Sequence, residues 1–151
     1  SVAGAMAIVP NLRRLLAHFR GAGLPVFHVV REYRADGSDI EITRRDRFLH
    51  DQPYCVPGTA GCEIVDGLTP LPGEYRLGKN RFSAFMNTEL DFMLRTLGVT
   101  DLVVGGIQLP NCIRATVSDG VAYGYRVTLV TDAAAAQTPA IAAASVELVA
   151  P

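Results

Sequence analysis

The stretch from Leu102 to Thr116 limits what this chain can fold into more than any other. Leu102-Val103-Val104 is a short apolar run of the kind that forms a buried strand. Gly105 and Gly106 follow, where a backbone can turn sharply or approach another group closely. Pro110 sits where a first helical turn would begin, a position that tolerates its missing N–H. Ile113, Val117 and Val121 then recur at four-residue spacing and predict one apolar helix face. Cys112 therefore sits at the end of a strand and the mouth of a helix. Free N–H groups and the positive end of the helix dipole favour a thiolate there. Strand ends are also where open α/β sheets bind ligands. The ordinary alternative for Cys112 is a small buried hydrophobe.

The rest of the chain repeats strand and helix in alternation. Ile8, Leu12, Leu15, Leu16 and Phe19 fall on one helical face, and Gly21, Gly23 and Pro25 end that helix. Val26 to Val30 reads as a nearly continuous apolar strand, typical of a parallel sheet covered on both faces. His28, inside it, is read as a satisfied core or strand-end histidine. Arg31 to Asp51 is highly charged with little periodicity, which predicts a long surface connection, a mobile loop over the site. Pro70, Pro72 and Gly73 mark a turn, after which Tyr75 to Leu77 is a short strand delivering Lys79. Thr88-x-x-Asp91, with Asn87 as a competing cap, starts a helix whose buried stripe is Leu90, Leu94 and Leu97. Tyr125 to Val130 forms a further strand ending at Asp132. The alanine-rich end suits a helix from about Pro139, with Val146 to Val149 the only segment left for a last strand. This order predicts α/β architecture with a mainly parallel sheet and no internal repeat.

Composition narrows the function. The 151 residues suit a single domain, 1–151. A net charge of −1 gives no reason to expect nucleic acid or an anionic membrane as partner. No apolar run is long enough to span a bilayer, and Ser1 to Ala7 does not read as a secretory signal. Cys55, Cys62 and Cys112 are an odd, widely spaced set, which fits a reducing cytoplasm better than a disulfide framework. No Cys-x-x-Cys pair suggests structural zinc. Gly105-Gly106 alone does not make a nucleotide site, because G-x-G-x-x-G and a Walker Lys-Ser/Thr are both absent. No cofactor or metal is expected.

Gly105 to Thr116, followed by Gly124-Tyr125-Arg126-Val127 and Thr131-Asp132-Ala133, resembles the isochorismatase-like cysteine hydrolases. Upstream, Gly78-Lys79 through Ser83-Ala84-Phe85-Met86-Asn87-Thr88 is similar to that family's lysine motif, and Gly58-Thr59-Ala60-Gly61 to the segment before its lysine strand. The resemblance runs from about Ile8 to Ala136. It implies a three-layer αβα, Rossmann-like fold with an open, mainly parallel sheet, and a homo-oligomer, dimer or tetramer. It implies Cys112 as nucleophile and Lys79 as the cation that stabilises the thiolate. It also implies an oxyanion site from the backbone N–H groups of Cys112 and Gln108, with a cis peptide at Ile107–Gln108. Asn111 and Phe85 complete the expected substrate-binding set.

The family takes its catalytic aspartate from an N-terminal strand of the pattern apolar-apolar-apolar-Asp-x-Gln, and no such pattern occurs here. The expectation is that the N-terminal Asp strand and part of the C-terminus are missing from these 151 residues. Cys112 directs the functional reading to cleavage of a C–N bond in a small amide, carbamoyl or ureido compound through a covalent thioester. Gln108-Leu109-Pro110-Asn111 departs from the small-residue/Thr pattern usual before the cysteine, and the Asp and His metal ligands of the nicotinamidase branch are not recognisable. The alternatives are a non-catalytic ligand-binding or oligomeric module of the same fold, and an isochorismatase-type ether hydrolase.

Overall fold

Two parallel strand pairs form the frame. In the computed structural model, which describes residues 4–51 and 53–149, β1 (Phe27–Arg31) pairs with β2 (Tyr75–Lys79), and β3 (Asp101–Ile107) pairs with β4 (Arg126–Ala135). Five helices connect and cover them: α1 (Val9–Gly21), α2 (Ile42–His50), α3 (Leu90–Thr96), α4 (Arg114–Ala122) and α5 (Pro139–Glu147). No described helix is long and apolar enough to cross a membrane.

Local chemistry explains most boundaries. Pro10 opens the first turn of α1, and Gly23 takes φ +65° just past its end. Gly98 does the same for α3 with φ +68°. The Thr88 hydroxyl accepts from the Leu90 N–H at 3.2 Å where α3 starts. At α5 the Thr138 side chain accepts from the Ile141 N–H at 3.2 Å, and Pro139 occupies the first turn. That cap and the alanines after it decide the C-terminal segment. Val146 belongs to α5 and packs with Val149 on the core, so Val146 to Val149 is not a strand.

Packing gives three layers. Leu90 and Leu94 of α3 bury against Leu77, Phe85 and Tyr125, with Leu102 and Val127 at the edge of the cluster. Val117 of α4, with Leu109 and Ile113, packs on Ala134, Val104 and Leu129. α1 covers the other side, where a Cβ at Gly105 would meet the Ala133 carbonyl at 3.0 Å and Leu12 at 3.2 Å. The glycine is there because α1 and β4 leave no room for a side chain.

Two differences from the sequence reading are informative. Val29 and Val103 are each 39% exposed, although Val26 to Val30 reads as covered on both faces and Leu102 to Val104 as a buried strand. The physical reason is in the pairing. Among the described residues, β1 has a partner strand on one edge only, β3 likewise, and the two do not pair with each other. The second difference is Arg31 to Asp51, which is not an aperiodic loop. It contains α2 and a small core of its own, in which Tyr33, Ile40 and Phe48 are buried. The rings of Tyr33, Phe48 and Tyr54 meet edge to face at 5.4–5.9 Å. Three apolar anchors spread through a run of charges leave no periodic signal, yet suffice to fold the segment.

Candidate active site

Register decides which charges meet. Arg31 and Lys79 stand opposite each other at the carboxyl ends of β1 and β2. Cys112 lies just beyond the carboxyl end of β3, in a π-helical turn, Leu109–Ile113, that leads into α4. Such turns are frequent at functional positions. Three strand ends therefore converge on one thiol, as the crevice rule for open α/β sheets anticipates.

Arg31 Nη2 donates to Cys112 Sγ at 3.3 Å. Lys79 is 7% exposed. Its ammonium donates to the carbonyls of Arg81 at 2.7 Å and Phe82 at 2.9 Å, and its positive charge and the Cys112 sulfur favour each other's charged forms. Burial pushes the Cys112 thiol up. Lys79, Arg31 and a backbone hydrogen bond from Gln108 outweigh burial, so the thiol lies below the ordinary cysteine value. Burial lowers the Lys79 ammonium from its usual value, and the sulfur beside it offsets only part of that. Cys55 and Cys62 go the other way, because burial pushes both thiols up.

The two sequence motifs are tied together by one hydroxyl. Thr116 Oγ1 donates to the Cys112 carbonyl at 2.7 Å and accepts from the Ala84 N–H at 2.9 Å. The loop after Lys79 and the helix after Cys112 are thereby held in one position. Ile107–Gln108 is a cis peptide. The Gln108 side-chain oxygen accepts from Asn111 Nδ2 at 3.2 Å and Gln137 Nε2 at 2.9 Å. Gln108 and Asn111 thus stand together in the turn that carries Cys112, with Ile107 45% exposed just before it. Phe85 does not join them. It is 4% exposed in the core and stacks on Tyr123 and Tyr125 at 5.2 and 5.8 Å. Its neighbour Phe82 faces the site instead, beneath Arg31 at 5.1 Å and Arg44 at 4.8 Å.

His28 is a satisfied strand histidine, 2.8 Å from Glu74. Arg31 escaped sequence reading because it opens a charged segment. Only the pairing register, which no local pattern marks, sets it opposite Lys79. Glu41 and Tyr33 escaped with it. Glu41 Oε1 accepts from Arg31 Nη1 at 2.6 Å, Oε2 accepts from Tyr33 Oη at 2.6 Å, and Arg31 Nη1 also reaches Tyr33 Oη. Among the described residues, no group of three His, Cys, Asp or Glu is placed to hold a metal ion.

The isochorismatase domain model matches residues 1–151. The chain belongs to the isochorismatase family. An isochorismatase-family protein from Desulfovibrio vulgaris, of known structure, superposes with TM-score 0.94 at 52% identity, over 97% of this chain and 77% of that one. A probable inactive nicotinamidase from Arabidopsis thaliana is 45% identical over 96% of this chain and 76% of its own length. The ureidoacrylate amidohydrolase RutB from Caulobacter vibrioides is 43% identical, over 87% of this chain. This isochorismatase-family chain spans 64% of that relative's length.

Proposed function

We propose that this chain carries the nucleophile of a cysteine hydrolase that cleaves a C–N bond in a small amide, carbamoyl or ureido compound. The observation that carries the reading is Cys112 held between Lys79 and Arg31, with its thiol below the ordinary value. A half-buried thiol with two cations against it is favoured as the thiolate, the nucleophilic form. The amidohydrolase among the relatives supports the choice of a C–N bond.

In this reading the Cys112 sulfur attacks the carbonyl carbon and a C–S bond forms. The carbonyl oxygen takes up charge opposite the Gln108 and Cys112 N–H groups. The C–N bond breaks, and the leaving nitrogen takes the proton that the thiol gave up. Water then cleaves the thioester, returning the thiol and releasing the acid. Lys79 balances the sulfur's charge before attack and again as the thioester is cleaved, and Asn111 borders the substrate.

The proton needs a carrier, and Glu41 is a poor one. Both its oxygens are occupied, and although burial works against it, hydrogen bonds from Tyr33 and Arg31 hold its carboxyl below the usual range. The reading therefore includes an aspartate on a further strand between β1 and β3, as the family resemblance implies. The open edges of those two strands support it.

Ammonia release from a panel of small amides and ureido compounds tests the proposal in the full-length protein. Turnover of at least one C–N substrate, lost in Cys112→Ala, is expected. Failure on every C–N substrate, with the fold intact, would favour the non-catalytic module; turnover of isochorismate alone would favour ether cleavage.

A further inference from the structure

Arg31 is held on three sides, and only one of them is the thiol. Nη2 donates to Cys112 Sγ at 3.3 Å and to the Arg81 carbonyl at 3.2 Å, while Nη1 donates to Glu41 Oε1 at 2.6 Å. Glu41 is held in turn by the Tyr33 hydroxyl, and Tyr33 is locked in the small core with Phe48 and Ile40. The guanidinium also lies over the rings of Phe82, at 5.1 Å, and Tyr33, at 5.4 Å. An arginine side chain loses much rotamer freedom when fixed so tightly. The sulfur alone is a poor anchor for it, since a single large atom at 3.3 Å imposes little direction on a planar fork. The Glu41 carboxylate is the stronger, charge-assisted anchor, with Oε1 accepting from Arg31 Nη1 at 2.6 Å and Oε2 held by Tyr33 Oη at 2.6 Å.

We propose that Glu41 is a positioning residue for hydrolysis: by gripping one arm of Arg31, it sets the other arm on the Cys112 sulfur. This rests on the reading of Cys112 as nucleophile and adds a role for the segment that folds over it. The groups that face the sulfur are Lys79 from β2, Arg31 from β1, the Gln108 N–H from the π-turn, and more distantly Cys55. Arg44, 4.8 Å from the Phe82 ring, adds positive charge to the same neighbourhood.

The sign of one substitution separates positioning from simple charge. As a bare negative charge near a thiolate, Glu41 disfavours ionisation, so removing it would make Cys112 more reactive. As a positioning residue it keeps Arg31 on the sulfur, so removing it makes Cys112 less reactive.

The experiment is the rate of Cys112 alkylation by iodoacetamide against pH, read by peptide mass spectrometry in the full-length protein. Glu41→Gln and Glu41→Ala should each move the midpoint up and slow labelling at pH 7 roughly tenfold. Glu41→Asp should recover part of the loss. In an Arg31→Ala background the Glu41→Gln effect should vanish or change sign, because nothing is left to position. Far-UV circular dichroism of each variant serves as the fold control. A midpoint that falls or stays unchanged in Glu41→Gln, while wild-type Cys112 keeps a low midpoint, overturns the positioning role and leaves the nucleophile intact. An ordinary cysteine midpoint in the wild type overturns the nucleophile reading itself.

Discussion

The thiol and the cations that charge it come from two regions built by different means. From Asp101 to Ala122 the chain places Cys112 by local backbone geometry: strand, π-turn, helix. Each step is written in residues next to one another. From Phe27 to Lys79 the chain places Arg31 and Lys79 by pairing two strands 48 positions apart (Phe27 opposite Tyr75), with a folded excursion between them. Nothing local fixes that meeting. Position is dictated nearby in the first region and by distant contacts in the second, so the second should be the softer part of the site.

The sharpest break of the comparison is at the two charged centres. Cys112→Ala and Lys79→Ala should each lower turnover by about a thousandfold or more, because they act as one unit. Lys79→Arg should not recover it. The ammonium fits between two carbonyls at 2.7 and 2.9 Å, and a planar guanidinium is too wide for that cage. Steady-state rates on the substrate found by ammonia release, with circular dichroism as a fold control, check both.

The excursion comes next. Phe48 is fully buried, and Phe48→Ala should cost about 3–5 kcal/mol of stability. If α2 matters to the thiol only through Arg31, the same substitution should slow Cys112 alkylation while leaving Cys62 unreactive. Urea unfolding and site-resolved labelling measure the two effects. Unchanged Cys112 labelling would mean that the excursion does not reach the thiol.

A smaller effect probes the joint between the regions. Thr116→Val removes the hydroxyl that bonds both Cys112 and Ala84. It should cost about 1–3 kcal/mol, since the Ala84 N–H is left without its acceptor. A loss in kcat larger than the loss in stability would show that the joint aligns the thiol with Lys79.

The smallest effect lies far from the site. The Arg20 hydrogen bond, with help from Leu71 and His28 and against burial, holds the Glu74 carboxyl down to about 2. A carboxyl depressed in the folded state stabilises the fold above its unfolded value, and that stability is lost as pH falls towards about 2. Glu74→Gln should therefore flatten the acid side of the stability profile between the ordinary carboxylate range and about 2, and leave Cys112 labelling unchanged. Thermal melts across that range read it.

These two regions were also unequally legible in the sequence. Cys112, the helix after it and the α/β class follow from adjacent residues, and Lys79 from the motif around it. Arg31 and Glu41 were not legible, because their roles depend on strand register and on three scattered apolar anchors, Tyr33, Ile40 and Phe48. Phe85 misled for a related reason. A motif gives a residue's order along the chain, and the turn after Lys79 decides whether Phe82 or Phe85 faces the site. The exposed faces of Val29 and Val103 read as buried because apolar composition reports how a strand is suited to pack, and pairing decides whether it does.

The claim on which the account turns is that Cys112 carries the substrate's acyl group between the two half-reactions. Acid quenching during turnover, followed by intact-mass and peptide mass spectrometry of the full-length protein, reads this directly. The account predicts an added acyl or carbamoyl mass on the peptide containing Cys112, formed and lost at rates that match turnover and absent in Cys112→Ser. Turnover of a C–N substrate with no adduct on Cys112 at any quench time, and with activity surviving Cys112→Ser, would contradict it.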